Sequence, residues 1–163
     1  MQVKGLRSVK KALVVLDVQS EFLGNTLDYI APLCQRYINS AANDYDAIIL
    51  THWIYEEAEG KSKLLVQHPK AVIVEKRGYS GLTAETKTVF DERGIQEVHI
   101  TGVDSEGAVL ATMFSCFDAG YQVKILERLV TSYHGRNWES MMIARHILGP
   151  ENVVNIGGDR VYV

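Results

Sequence analysis

The chain has 163 residues, enough for one domain spanning 1–163 to bury a sizeable core without disulfides or metal staples. Its 17 Lys and Arg against 20 Asp and Glu leave a net charge of −3, which speaks against nucleic acid as a partner and for a small, roughly neutral molecule. No run is long and apolar enough for a signal peptide or a membrane span, so a cytoplasmic protein with no membrane partner is expected.

In chain order, short apolar runs alternate with helical patterns. ALVVLDV (12–18) reads as a first strand, followed by a helix over 26–43 and a second strand, AIILTHW (47–53). A weaker helical pattern over 56–65 leads to AVIVEK (71–76), then a helix over 83–93 and the strand EVHITGV (97–103). The rest reads as a helix over 105–119, the strand QVKILE (122–127), a helix over 137–148 and a last strand, NVVNIG (152–157). The strands are continuously apolar and rich in branched residues, the mark of burial on both faces in a parallel sheet. Gly94 and Gly120 stand where helix C-termini need them. Strand and helix in alternation predict a Rossmann-like, doubly wound three-layer αβα domain with a mainly parallel six-stranded sheet.

Ligands of such sheets gather outside the carboxyl ends of the strands, near the point where strand order reverses. Asp17 ends the first strand, Lys76 ends the third, and Ala108 falls in the first turn of the helix after the fourth. Asp17 follows an apolar run, and its desolvation would raise its pKa and suit it to proton transfer; it could equally cap a turn. Lys76 could pair with Asp17, stabilise a developing anion, or lie on the surface as most lysines do. The turn at Gly102 would present free backbone N–H groups and the positive end of a helix dipole beside them. The two cysteines, Cys34 and Cys116, lie inside helical patterns and read as small buried apolar residues.

These segments carry a resemblance. LDVQSEF resembles the D-x-Q-x-x-F motif, EKRGYSGL the K-x-x-Y-S motif, and ITGVDSEGAVLATMFSCFDAGY the nucleophile-bearing motif of the isochorismatase-like cysteine hydrolases, which include nicotinamidases and N-carbamoylsarcosine amidohydrolases. The resemblance covers nearly the whole chain. It implies that Asp17 is the general base, that Lys76 is the cation orienting it, and that Ala108 stands at the place of the cysteine nucleophile. It also implies a cis peptide between Val103 and Asp104, with the N–H groups of Asp104 and Ala108 forming an oxyanion hole. Gln19, Phe22, Trp53, Tyr79 and His134 become the expected substrate contacts, although each could serve packing alone. Nicotinamidases of this family hold a metal after the second strand. Here the sequence offers only His52 and no aspartate at matching spacing, and His68 is no better placed, so neither metal nor cofactor is expected.

An alanine cannot attack a carbonyl. The sequence leaves three readings of Ala108: an amidohydrolase with an Asp-Lys-Cys mechanism whose nucleophile has been replaced by engineering, leaving this chain inactive; a vinyl-ether hydrolase of the isochorismatase type using Asp17 alone; and a catalytically silent protein that binds a small molecule or a partner. The first is the preferred expectation, because the flanking residues keep the motif, and a small, planar, uncharged amide or ureido compound is the expected substrate. The short connection between strands two and three, with aromatic Trp53, Tyr55, Tyr133 and Trp138 near loops and helix ends, predicts a homo-oligomer.

Overall fold

The computed structural model describes residues 8–55 and 62–155. Six strands form one sheet: β1 (Lys11–Leu16), β2 (Ala47–Trp53), β3 (Ala71–Lys76), β4 (Glu97–Gly102), β5 (Gln122–Val130) and β6 (Val153–Val154). They lie in the order β3-β2-β1-β4-β5-β6, and every pairing is parallel. The order reverses between β1 and β4, so the crevice expected for a ligand opens at their carboxyl ends.

Alternate residues of β1 divide the core. Leu13 and Val15 pack under α1 (Ser20–Leu27) and α2 (Ile30–Ala41), with Ile30, Cys34 and Ile38 buried there. Ala12, Val14 and Leu16 face α3 (Ala84–Arg93), α4 (Leu110–Asp118) and α5 (Asn137–Leu148), with Phe90, Met113, Cys116, Met141 and Ala144 against them. Helices therefore cover both faces of the sheet's centre, which explains the unbroken apolar runs of β1 and β2, while the edge strand β3 leaves Ile73 56% exposed. No helix among the described residues is long and apolar enough to cross a membrane.

Several boundaries differ from the sequence expectation, for local reasons. β1 stops at Leu16 because Asp17 takes a φ of 54°, a left-handed conformation that aspartate tolerates better than most residues. In place of one helix over 26–43, helical structure begins at Ser20, bends at Gly24 and is resumed by α2 at Ile30. The expected helix over 56–65 falls partly outside the described residues. Its described end is extended, with Leu64 bridging antiparallel to Gln19. β4 ends one residue early at Gly102, β5 runs on to Val130, and β6 is only Val153–Val154, with 156–157 outside the described residues. Thr83 caps α3, its hydroxyl accepting the N–H of Thr86 at 3.2 Å, and Gly94 ends it with a φ of 64°.

Candidate active site

Gly102 fixes the geometry at the reversal point. Its φ is 111°, and a Cβ built there would lie 2.2 Å from the Leu16 carbonyl oxygen. Only a glycine lets β4 pass this close to β1 as both strands end. The chain then turns through a cis peptide between Val103 and Asp104 and a single π-helical turn, Ser105–Val109, before α4 begins. Ala108 sits in that turn, 3% exposed. The N–H of Asp104 forms no hydrogen bond among the described residues.

Asp17 lies on the β1 side of the same crevice. Its Oδ2 is 2.8 Å from the Lys76 ammonium, and both side chains are almost wholly buried. Its Oδ1 accepts a hydrogen bond from the Thr51 hydroxyl at 2.7 Å, and its own N–H donates back to that hydroxyl oxygen at 3.1 Å. Burial raises the Asp17 pKa, opposed by the charge and hydrogen bonds of Lys76 and by Thr51. For Lys76 burial acts the other way and lowers the pKa, opposed by Asp17. Each group is thus drawn toward its neutral form, the condition in which a proton moves easily between a carboxylate and a bound molecule.

Lys76 is held from three sides. Besides Asp17, its ammonium donates to the carbonyl oxygens of Gly78 and Tyr79 at 2.8 and 3.1 Å, and it lies 4.0 Å from the centre of the Trp53 ring. These bonds use its three protons, so Lys76 orients Asp17 from behind the crevice and is not part of the cleft wall. The segment after it is tied to α4: Ser80 Oγ donates to Ser115 Oγ at 2.8 Å, and Gly81 N–H donates to Thr112 Oγ1 at 2.7 Å. That anchoring lays the Tyr79 ring over Gly107, where an added Cβ would come within 3.3 Å of the ring.

The result is a cleft of about 780 Å³ whose wall includes Asp17 and Ala108 together with Val103 and Asp104. Of the expected substrate contacts, Phe22, Trp53, Tyr79 and His134 line it. Gln19 does not. It is completely buried, and its side chain copies a neighbouring strand: Oε1 accepts the Trp53 N–H at 2.8 Å while Nε2 donates to the Trp53 carbonyl at 3.0 Å. Nε2 also donates to Ser62 Oγ at 3.0 Å and to Glu21. The Gln19 side chain therefore positions Trp53 and does not line the cleft, while its backbone N–H donates to the Asp17 carbonyl oxygen at 2.9 Å.

Other residues of the site carry no clear mark in the sequence. Thr51 was signalled only by a hydroxyl inside a buried apolar run, where it must find a partner. Tyr55, Glu106 and Phe114 also line the cleft, and nothing local in the sequence distinguishes them from surface residues. Among the described residues no three His, Cys, Asp or Glu side chains are placed to hold a metal, and His52 is engaged with the Ser62 hydroxyl at 2.6 Å.

The isochorismatase-domain family model matches residues 11–148. The fold is similar to that of the pyrazinamidase/nicotinamidase of Streptococcus mutans UA159, at 19% identity and a TM-score of 0.74, over 86% of this chain and 98% of that one. An isochorismatase-like hydrolase from Alkaliphilus metalliredigens gives 21% identity and a TM-score of 0.74, over 86% and 92% of the two chains. The pyrazinamidase of Pyrococcus horikoshii, solved in complex with zinc, gives 23% and 0.72, over 86% and 96%. No curated protein matches the chain.

Proposed function

The chain belongs to the isochorismatase family of hydrolases, and we propose that its cleft is built to hydrolyse a small amide or ureido compound through an Asp-Lys-Cys arrangement in which Ala108 occupies the nucleophile's place. The observation that supports this is the buried Asp17–Lys76 pair opening onto the same cleft as the π turn that carries Ala108. A thiolate at position 108 would attack the carbonyl, the N–H groups of Asp104 and Ala108 would hold the oxyanion, and Asp17 would carry the thiol's proton to the departing amine. Water, activated by the same carboxylate, would then release the acyl group. In the alanine form the sites for binding and proton transfer remain, while bond formation to carbon has no donor.

Ala108→Cys tests the reading. The new thiol sits near a helix N-terminus, and it should alkylate faster than Cys34 or Cys116, whose pKa values burial pushes up to about 12. Release of ammonia from small amides and ureido compounds should rise by about two or more orders of magnitude over the alanine form. An unreactive thiol with no ammonia release would end the proposal.

A second reading rests on Asp17 alone, which lines the cleft and whose pKa is raised by burial. Asp17 would then protonate a vinyl ether without any thiol. In that case the alanine form already hydrolyses isochorismate, and Asp17→Asn abolishes the activity. A silent binder does neither.

A further inference from the structure

We propose that the molecule this cleft takes carries a cationic nitrogen, such as an ammonium, guanidinium or quaternary pyridinium group, beside its hydrolysable amide or ureide; the hydrolysable part rests on the reading above. Among the described residues the cleft wall holds three carboxyl groups, Asp17, Asp104 and Glu106, with His134 and no lysine or arginine. Lys76 offsets only one of them. It is spent on Asp17 and on two backbone carbonyls, and it lies behind the wall.

Asp104 and Glu106 have no buried lysine of that kind: burial and the neighbouring Glu106 raise the Asp104 pKa, with the Tyr133 N–H and His134 opposing. Neither forms an ion pair among the described residues. Asp104 Oδ1 accepts the backbone N–H of Tyr133 at 2.9 Å, a neutral donor that fixes the carboxylate's direction without cancelling its charge. Glu106 is exposed, and among the described residues its side chain accepts only a 3.3 Å contact from the Ser105 hydroxyl. Among the described residues a bound anion would face two carboxyl groups with only His134 to set against them, whereas a bound cation would meet both.

The walls favour the same charge. Phe22, Trp53, Tyr79 and Phe114 present aromatic surface to the cleft, and the faces of such rings attract cations. Lys76 already uses the Trp53 ring in this way. Tyr79 is 64% exposed, which leaves its ring available to a ligand. An aromatic box with an acidic rim is the usual chemistry for a cationic nitrogen. The whole chain's charge of only −3 hides this, because the carboxylates that matter are concentrated at one crevice.

The test uses the alanine protein, which binds without turnover, and three planar carboxamides of similar size: nicotinamide, 1-methylnicotinamidium and 3-carbamoylbenzoate, with 1-methylpyridinium as a cation lacking the amide. Calorimetry should show the cationic carboxamide binding roughly tenfold tighter than nicotinamide and the anion weakest. Added salt should weaken only the cation. In Glu106→Gln, a change at an exposed position that leaves the fold intact, the ratio of cation to neutral affinity should drop several-fold. Equal affinities, a preference for the anion, or no binding by any of the four would overturn the inference. If Ala108→Cys hydrolyses the neutral and cationic amides at the same kcat/KM, the hydrolase reading stands and this inference falls. If the two pyridinium cations bind equally well and Ala108→Cys releases no ammonia, the charge preference stands and the amide reading falls.

Discussion

Two buried polar networks flank the same sheet, and only one of them opens onto a cleft. At the carboxyl edge, Thr51, Asp17 and Lys76 are linked by contacts of 2.7 and 2.8 Å. Elsewhere, Tyr37 and Tyr45 share a 2.5 Å hydrogen bond, Tyr45 meets His99 Nδ1 at 2.7 Å, and His99 Nε2 meets Glu97 at 2.7 Å. Burial displaces proton affinities in both: Asp17 is raised and Lys76 lowered in one, Tyr37 and Tyr45 are raised and His99 is lowered in the other. Displaced affinity is therefore not what marks the site. The difference lies in the backbone and in access. The first network borders a residue at positive φ, the Gly102 crossing and the π turn, and faces empty space; the second ties α2 to the sheet and contributes no residue to the cleft.

If the carboxyl edge is the demanding region, substitutions there should cost most. Gly102→Ala comes first: its Cβ would meet Leu16 backbone atoms that no side-chain rotation can move aside. A loss of at least about 4 kcal/mol in urea unfolding, or no folded protein at all, is expected. Gly94→Ala, also at positive φ but with nothing within 4 Å, should cost only about 1 kcal/mol of backbone strain. Similar losses for the two would erase the claim that close strand approach shapes the site.

Next in size is Lys76→Met. It strands a buried carboxylate, at a cost of about 3–5 kcal/mol, while the double change Asp17→Asn with Lys76→Met should recover most of that stability. A benign single mutant would mean that the pair is not desolvated. On the other side, Tyr45→Phe removes the hydroxyl between Tyr37 and His99 and should cost about 1–2 kcal/mol. It should leave ligand binding in the cleft unchanged.

The same contrast explains what the sequence could reveal. Strands buried on both faces are apolar along their length, which made β1 and β2 legible; β3 and β5, partly exposed, were legible from their branched residues, and the covering helices followed from the alternation. Asp17, Lys76 and Ala108 were legible as strand and turn positions on one edge. The bend at Gly24 was not, because a helix start at Ser20 has no capping hydrogen bond to announce it. The hold of Gln19 on Trp53 was no more legible, because its complementarity to the Trp53 backbone exists only after β2 has been laid beside it. The acidic rim was missed because summed charge carries no position. The Tyr37–Tyr45–His99–Glu97 chain was invisible for the same reason, since its members lie far apart in sequence.

The smallest expected effect is a pH dependence that belongs to the closed network alone. Burial lowers the His99 pKa below its ordinary value of 6.5, with Lys11 and Lys124 pushing the same way and Glu97 opposing. The folded protein therefore binds fewer protons at this residue than the unfolded chain does. Stability contributed by neutral His99 is complete above 6.5 and is lost as pH falls from there through the folded pKa, by an amount bounded by the uptake of one proton. With Glu97 ionised, the neutral ring donates from Nε2 and accepts the Tyr45 hydroxyl at Nδ1; protonation turns Nδ1 into a second donor and forces that hydroxyl to reverse. His99→Gln offers one acceptor and one donor at all pH values, so its stability between pH 7.5 and 5 should follow a flatter line than that of the parent protein. Identical slopes would assign the dependence to other groups. A shift in the pH profile of the Ala108→Cys protein on adding His99→Gln would show that the two networks communicate, and would break the separation drawn between them.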